Sequence, residues 1–115
     1  MDSKKLSQNV AKSLSDKKGT DIKILDISAL TTISDYFVIC SAGSTTLVKA
    51  LADNVLKKTG EEGISPLRIE GYKSCSWILL DYGGVIVHIF KNEIRDFYNL
   101  EHLWGDAVTV TGDFD

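Results

Sequence analysis

Few side chains here could do chemistry: His88 and His102, Cys40 and Cys75, and the carboxylates Asp26, Asp35 and Asp81, which begin or end apolar runs. Acids at strand ends can gather a divalent cation on a sheet edge. Nucleotidyl-transfer enzymes place a Gly-Ser turn before a helix and a DxD pair on the next strand. Gly43-Ser44 is present, but the strand-like run after it, residues 67–70, carries no DxD. Without paired carboxylates there is little to hold two metals. The cysteines form no CxxC and no Cys/His group at zinc spacing, so they read as reduced thiols. His88 and Asp81 could share one face of a strand pair as an acid and base, though only diagonally. Neither histidine has sequence neighbours that define a triad. A helix start after Gly43 could bind phosphate, but GxGxxG and Walker lysine patterns are missing, and Ser44 or Thr45 reads as a plain N-cap. These residues predict no catalytic, metal or cofactor site. The competing enzyme reading would use Asp35, Asp81 and His88.

The elements that position these groups follow from periodicity. Residues 4–18 predict an amphipathic helix, with Leu6, Val10, Leu14 and Ala11 on its apolar stripe. Asp2 or Ser3 can cap its start, and Gly19 can take the left-handed position after its end. Residues 22–28 predict a strand with Leu25 and Ile27 on one face and Ile22, Ile24 and Asp26 on the other. YFVICS, residues 36–41, reads as a largely buried central strand. A helix then runs to about Lys58, closed by Lys57, Lys58 and Gly60. If the strands at 36–41 and 67–70 are parallel neighbours, this helix is their crossover. A short helix follows residue 90, with Ile94, Phe97 and Tyr98 at helical spacing, and Leu100, Leu103 and Trp104 continue an apolar cluster.

The centre of the pattern is residues 77–90. Two β-rich runs, 77–82 and 85–90, flank Gly83-Gly84, a strong hairpin signal. A two-residue loop sets the register. Tyr82 faces Val85, Leu80 faces Val87 and Ile78 faces Ile89, which makes one nearly pure apolar face for helices. The other face pairs Asp81 with Ile86, Leu79 with His88 and Trp77 with Phe90. It is mixed, and Asp81 there would need a partner if buried. That face reads either as a recognition surface or as a second, imperfect core face.

With 115 residues, the chain is most simply one domain. Residues 1–107 form it, and 108–115 make a short acidic tail that frays or adds an edge strand. The element order predicts an α/β (α+β-like) fold, a mixed sheet of about five strands with helices mainly on one face. No apolar run approaches the ~18 residues of a spanning helix. The first residues lack the apolar middle of a secretion signal, which predicts a cytoplasmic protein without a membrane partner. The net charge of −3 argues against neutralising phosphates as the main task, and it leaves open a basic protein partner, whose approach an acidic chain would speed.

The motifs ISDYFVICSAGS, ALADNV and EG…SWILLDYGGVIVHIF…IRDFYNLEHLWGDA, in that order, resemble the ribosomal silencing factor (Iojap-related) family over roughly Leu25 to Ala107. The resemblance implies a non-enzymatic protein whose fold is similar to a nucleotidyltransferase core without catalytic acids. It implies binding to the large ribosomal subunit through ribosomal protein L fourteen, with little direct nucleic-acid contact. It also implies steric exclusion of the small subunit, repression of translation under nutrient limitation, a role in ribosome biogenesis, and a homodimer when free. Trp77, Leu79, Asp81, His88, Phe90, Arg95, Tyr98, Glu101, Leu103 and Trp104 match the family pattern. Gly84 stands where many members carry Asp, and Leu47-Val48 where many carry Arg-Gln. The partner-binding residues expected are Glu70, Trp77, Leu79, Asp81, His88, Phe90 and Tyr98. Trp77 and Phe90 would supply apolar area, and Glu70 and Asp81 would pair with cations near the rim.

Overall fold

A computed structural model of the chain describes residues 2–98 and 108–110, with side chains from 2 to 95. Helix α1, Ser3–Asp16, buries Leu6, Val10, Ala11 and Leu14, the stripe expected from their spacing. Asp2 caps it by accepting from the Lys5 amide at 2.8 Å. At its other end the amides of Lys18 and Gly19 return to the carbonyls of Ser15 and Leu14, at 3.0 and 2.9 Å. The left-handed residue of this cap is Lys18, at φ 67°, not Gly19. Gly19 is needed for closeness instead, because a Cβ there would lie 2.4 Å from the Cys40 Sγ.

Strand β1, Thr20–Asp26, runs antiparallel to β2, Tyr36–Ala42, with a register irregularity between Thr20 and Lys23. Helix α2, Thr45–Glu61, extends past the expected end. Gly60 lies inside it, and Gly63, at φ 74°, takes the left-handed position. Ser44 caps its start, its hydroxyl accepting from the Leu47 amide at 3.1 Å. Ser44→Ala should cost about 1 kcal/mol, read as a lower urea midpoint with an unchanged slope; an unaltered midpoint would remove the cap from the stability of α2.

The chain then forms β3, Arg68–Glu70, β4, Trp77–Asp81, β5, Val85–Lys91, the short helix α3, Asn92–Tyr98, and β6, Val108–Val110. The strands make one six-stranded mixed sheet in the order β3-β4-β5-β2-β1-β6. Among the described residues, only β2 and β5 pair in parallel. They lie at the centre and are buried along nearly their whole length, as central parallel strands must be. The sheet exceeds the expected five strands because Val108–Val110 pairs with β1 as an edge strand.

One topological expectation needs correcting. The strand after α2 is not beside β2; β5 and β4 separate it from β2, and it forms the opposite edge of the sheet. The better neighbour for β2 is β5, which offers a long apolar edge, whereas β3 has three residues, all exposed.

The hairpin has the register that Gly83-Gly84 predicts, from Trp77 opposite Phe90 to Asp81 opposite Ile86. Tyr82 donates its amide to the Val85 carbonyl at 2.8 Å, closing the two-residue loop. Of the two glycines, Gly83 has positive φ, 85°, which fits a turn with only its first central residue left-handed. The face of Ile78, Leu80, Val85, Val87 and Ile89 packs into the main core under α1 and α2. The opposite face builds a second core from Leu25, Ile27, Phe37, Ile39, Ile86 and Phe90, with Ile94 of α3 packed against it. Helices therefore lie mainly, not wholly, on one side.

Candidate partner-binding face

The mixed face of the hairpin divides into a buried part and an accessible strip. Towards the sheet centre, Ile86, His88 and Phe90 on β5 are only 8%, 4% and 1% exposed. On β4, Trp77, Leu79 and Asp81 are partly buried. The core reading thus holds for β5, whereas β4 leaves a partly exposed strip. Phe90 does not present apolar area to a partner. It lies behind Trp77, with ring centroids 4.7 Å apart. His88 is likewise interior: Phe37 meets its ring edge-on at 4.8 Å.

The His88 imidazole also positions Trp77. The indole Nε1–H donates to His88 Nδ1 at 3.1 Å, which leaves the proton of the neutral ring on Nε2. That Nε2 is buried and finds no hydrogen-bond partner among the described residues. Burial pushes the imidazole pKa down to about 4 from its ordinary 6.5, because a charged ring would lose its hydration without gaining a counter-ion. His88 is therefore a neutral acceptor that fixes the indole. It is not paired with Asp81, whose Oδ1 accepts from the Gly83 amide at 2.8 Å.

Strand β3 widens the accessible strip. Its register sets Arg68 opposite Asp81 and Glu70 opposite Leu79, so Arg68 and Glu70 share the face of Trp77 and Leu79. Arg68 lies 3.5 Å from Asp81 Oδ2 and 3.6 Å from Glu70 Oε2. The strip thus combines an indole, an aliphatic side chain and two carboxylates. It brings together Glu70, Trp77, Leu79 and Asp81 of the expected residues, while His88 and Phe90 stand beneath them. The Tyr98 side chain, and all of Glu101, Leu103 and Trp104, lie outside the described residues.

Two residues gained roles that the sequence did not show. Arg68 depends on a cross-strand register that a three-residue strand cannot announce. Arg95 matches the family pattern, but its work is structural. It is 7% exposed and its Nη1 donates to the Asp21 carbonyl at 2.6 Å and to Ser41 Oγ at 2.7 Å. These bonds tie α3 to the sheet. The Asp21 carbonyl is presented by a residue at φ 48°.

The groups considered for metal chemistry stay apart. Among the described residues no three His, Cys, Asp or Glu side chains gather to hold an ion. Asp26 accepts from the Ser28 hydroxyl and amide at 2.6 and 3.0 Å, and these bonds hold its carboxyl below the usual range. The chain holds one DxD spacing, Asp113-Phe114-Asp115, in the tail outside the described residues and not on the strand after Gly43-Ser44. Cys40 and Cys75 are both buried thiols. No helix among the described residues is long and apolar enough to cross a membrane.

Known proteins resemble this chain in sequence and in fold. The family model described as ribosomal silencing factor during starvation matches residues 1–115. A ribosomal silencing factor of Halalkalibacterium halodurans is 40% identical, over 96% of this chain and 94% of the relative. One from Bacillus subtilis is 38% identical, over 99% and 97%. A crystal structure of a Chromobacterium violaceum protein superposes with a TM-score of 0.89 at 36% identity, covering 99% of this chain and 92% of that one.

Proposed function

Because the chain belongs to the ribosomal silencing factor family, we propose that it represses translation by occupying the large ribosomal subunit and keeping the small subunit away. The docking surface is the β3–β4 strip, and the partner is ribosomal protein L fourteen. The observation that carries this reading is the strip itself: Trp77 and Leu79 partly exposed beside the carboxylates of Glu70 and Asp81. Aromatic anchors with a polar rim are what protein interfaces favour.

Charge supports a basic partner. The chain carries −3 overall, and acids at a rim speed the approach of a cationic surface. Trp77 is already partly buried in the free chain, so docking removes only the rest of its surface from water. In return the indole arrives ordered by His88 and Phe90, which lowers the entropy cost of binding. Blocking then needs only occupancy. The chain measures 34 × 34 × 27 Å, too thick to fit between two surfaces that must touch. The action is stoichiometric, cytoplasmic and without a cofactor, and the free chain pairs with a second copy.

Subunit joining followed by light scattering tests the proposal. Large subunits preloaded with saturating chain should give a much smaller joining amplitude when small subunits are added. An undiminished amplitude at saturation would remove the blocking mechanism.

A further inference from the structure

We propose that Arg68 is a built-in competitor for the partner's cation. In the free chain its guanidinium occupies the Glu70–Asp81 carboxylate pair, and a Lys or Arg of the partner protein displaces it on docking. This rests on the β3–β4 strip being the docking surface, and it names the chemistry of one contact there.

The geometry makes the three side chains a unit. Arg68 and Asp81 are cross-strand partners, and Glu70 follows Arg68 on the same face of β3. The guanidinium Nη2 sits 3.5 Å from Asp81 Oδ2 and 3.6 Å from Glu70 Oε2, so one nitrogen already lies beside both carboxylates. Asp81 is held for this task. Its other oxygen accepts from the Gly83 amide at 2.8 Å, and its side chain is 19% exposed against 58% for Glu70. The Asp81 carboxylate is therefore a fixed acceptor in the turn, whereas Arg68, 64% exposed, can swing into water without moving its strand.

The contact suits exchange. Exposed ion pairs are weak and screened by salt, so Arg68 is easily displaced by a cation fixed in a complementary surface. It nevertheless lowers the long-range attraction that a cationic surface would feel, so docking has to displace it. Repulsion between Arg68 and the incoming charge should appear in the association rate.

The test measures association of the chain with isolated large subunits at low salt. Arg68→Met keeps the aliphatic stem and removes the charge, and Arg68→Gln serves as a second uncharged variant. Lys57→Ala, at an exposed position on α2, changes net charge equally on the other side of the molecule. Both Arg68 variants should associate about threefold faster than wild type, a local steering effect, with less than about half that gain for Lys57→Ala. The gain should vanish when Asp81→Asn is added, and at high salt. Equal rates for the Arg68 and Lys57 variants would overturn the proposal. Slower association of the Arg68 variants would also overturn it, and would make Arg68 a partner contact in its own right. If wild-type chain fails to bind large subunits at all, the docking reading fails and this inference falls with it.

Discussion

Trp77→Ala should weaken binding to the large subunit by about 30-fold or more, the ~2 kcal/mol of an aromatic anchor truncated at an interface centre. The indole is the largest side chain of the accessible strip. It is held from below by Phe90, with ring centroids 4.7 Å apart, and from the side by His88 Nδ1 at 3.1 Å. Truncation also removes packing from the second core, so stability should fall by about 2 kcal/mol, less than for a fully buried Trp. Thermal unfolding and sedimentation with subunits must be measured on the same sample. Trp77→Phe separates the two effects, because it keeps a ring against Phe90 while losing the N–H and the indole's outer edge. It should recover much of the stability and only part of the binding. A folded Trp77→Ala chain that binds within threefold of wild type would place the partner surface elsewhere.

The second large effect is on pH. The His88 pKa is about 4 in the folded chain against 6.5 for an ordinary imidazole. Between these values the unfolded chain takes up a proton that the folded chain refuses. Stability is therefore fully present above about pH 6.5 and is lost as pH falls towards 4, by about 3 kcal/mol in all. His88→Phe keeps a ring among Phe37, Trp77 and Phe90 and removes the titration. Urea unfolding across this window should show the wild type losing stability more steeply than His88→Phe. Parallel curves would mean that the ring takes up its proton in place. At neutral pH the variant gains by deleting an unpartnered Nε2–H and loses by stranding the Trp77 N–H, so the diagnostic quantity is the slope, not the level.

The two results would together show why a buried histidine belongs behind the exposed strip. A charged side chain there would leave an uncompensated charge in the second core. An aliphatic one would give Trp77 no acceptor. Neutral imidazole gives the indole an acceptor and packs edge-on against Phe37.

The hairpin was legible residue by residue because two neighbouring glycines and a period of two fix both register and face. From Trp77 opposite Phe90 to Leu80 opposite Val87, every pair could be read from the chain. Depth was not legible. Whether Phe90 and His88 are covered depends on Leu25, Ile27, Phe37 and Ile39, which come from β1, the residue after it and β2, far away in sequence. Alternation says which side a residue faces, not what lies over it. Strand order was hidden for the same reason: nothing local tells β2 that its neighbour is β5 and not β3. The helix ends misled because a glycine can serve two needs. The pattern casts Gly19 as a left-handed cap, but Cys40 requires the missing side chain there, and Lys18 takes the turn. The role of Arg68 is not legible because a short exposed strand carries no pattern.

Sedimentation of the chain with separated particles tests the silencing role most directly. The chain should co-migrate with isolated large subunits, and remain at the top of the gradient with small subunits or with preassembled ribosomes, whose joined surfaces already cover its site. Co-migration with small subunits, or equal binding to large subunits and whole ribosomes, would contradict occupancy of the joining surface as the means of repression.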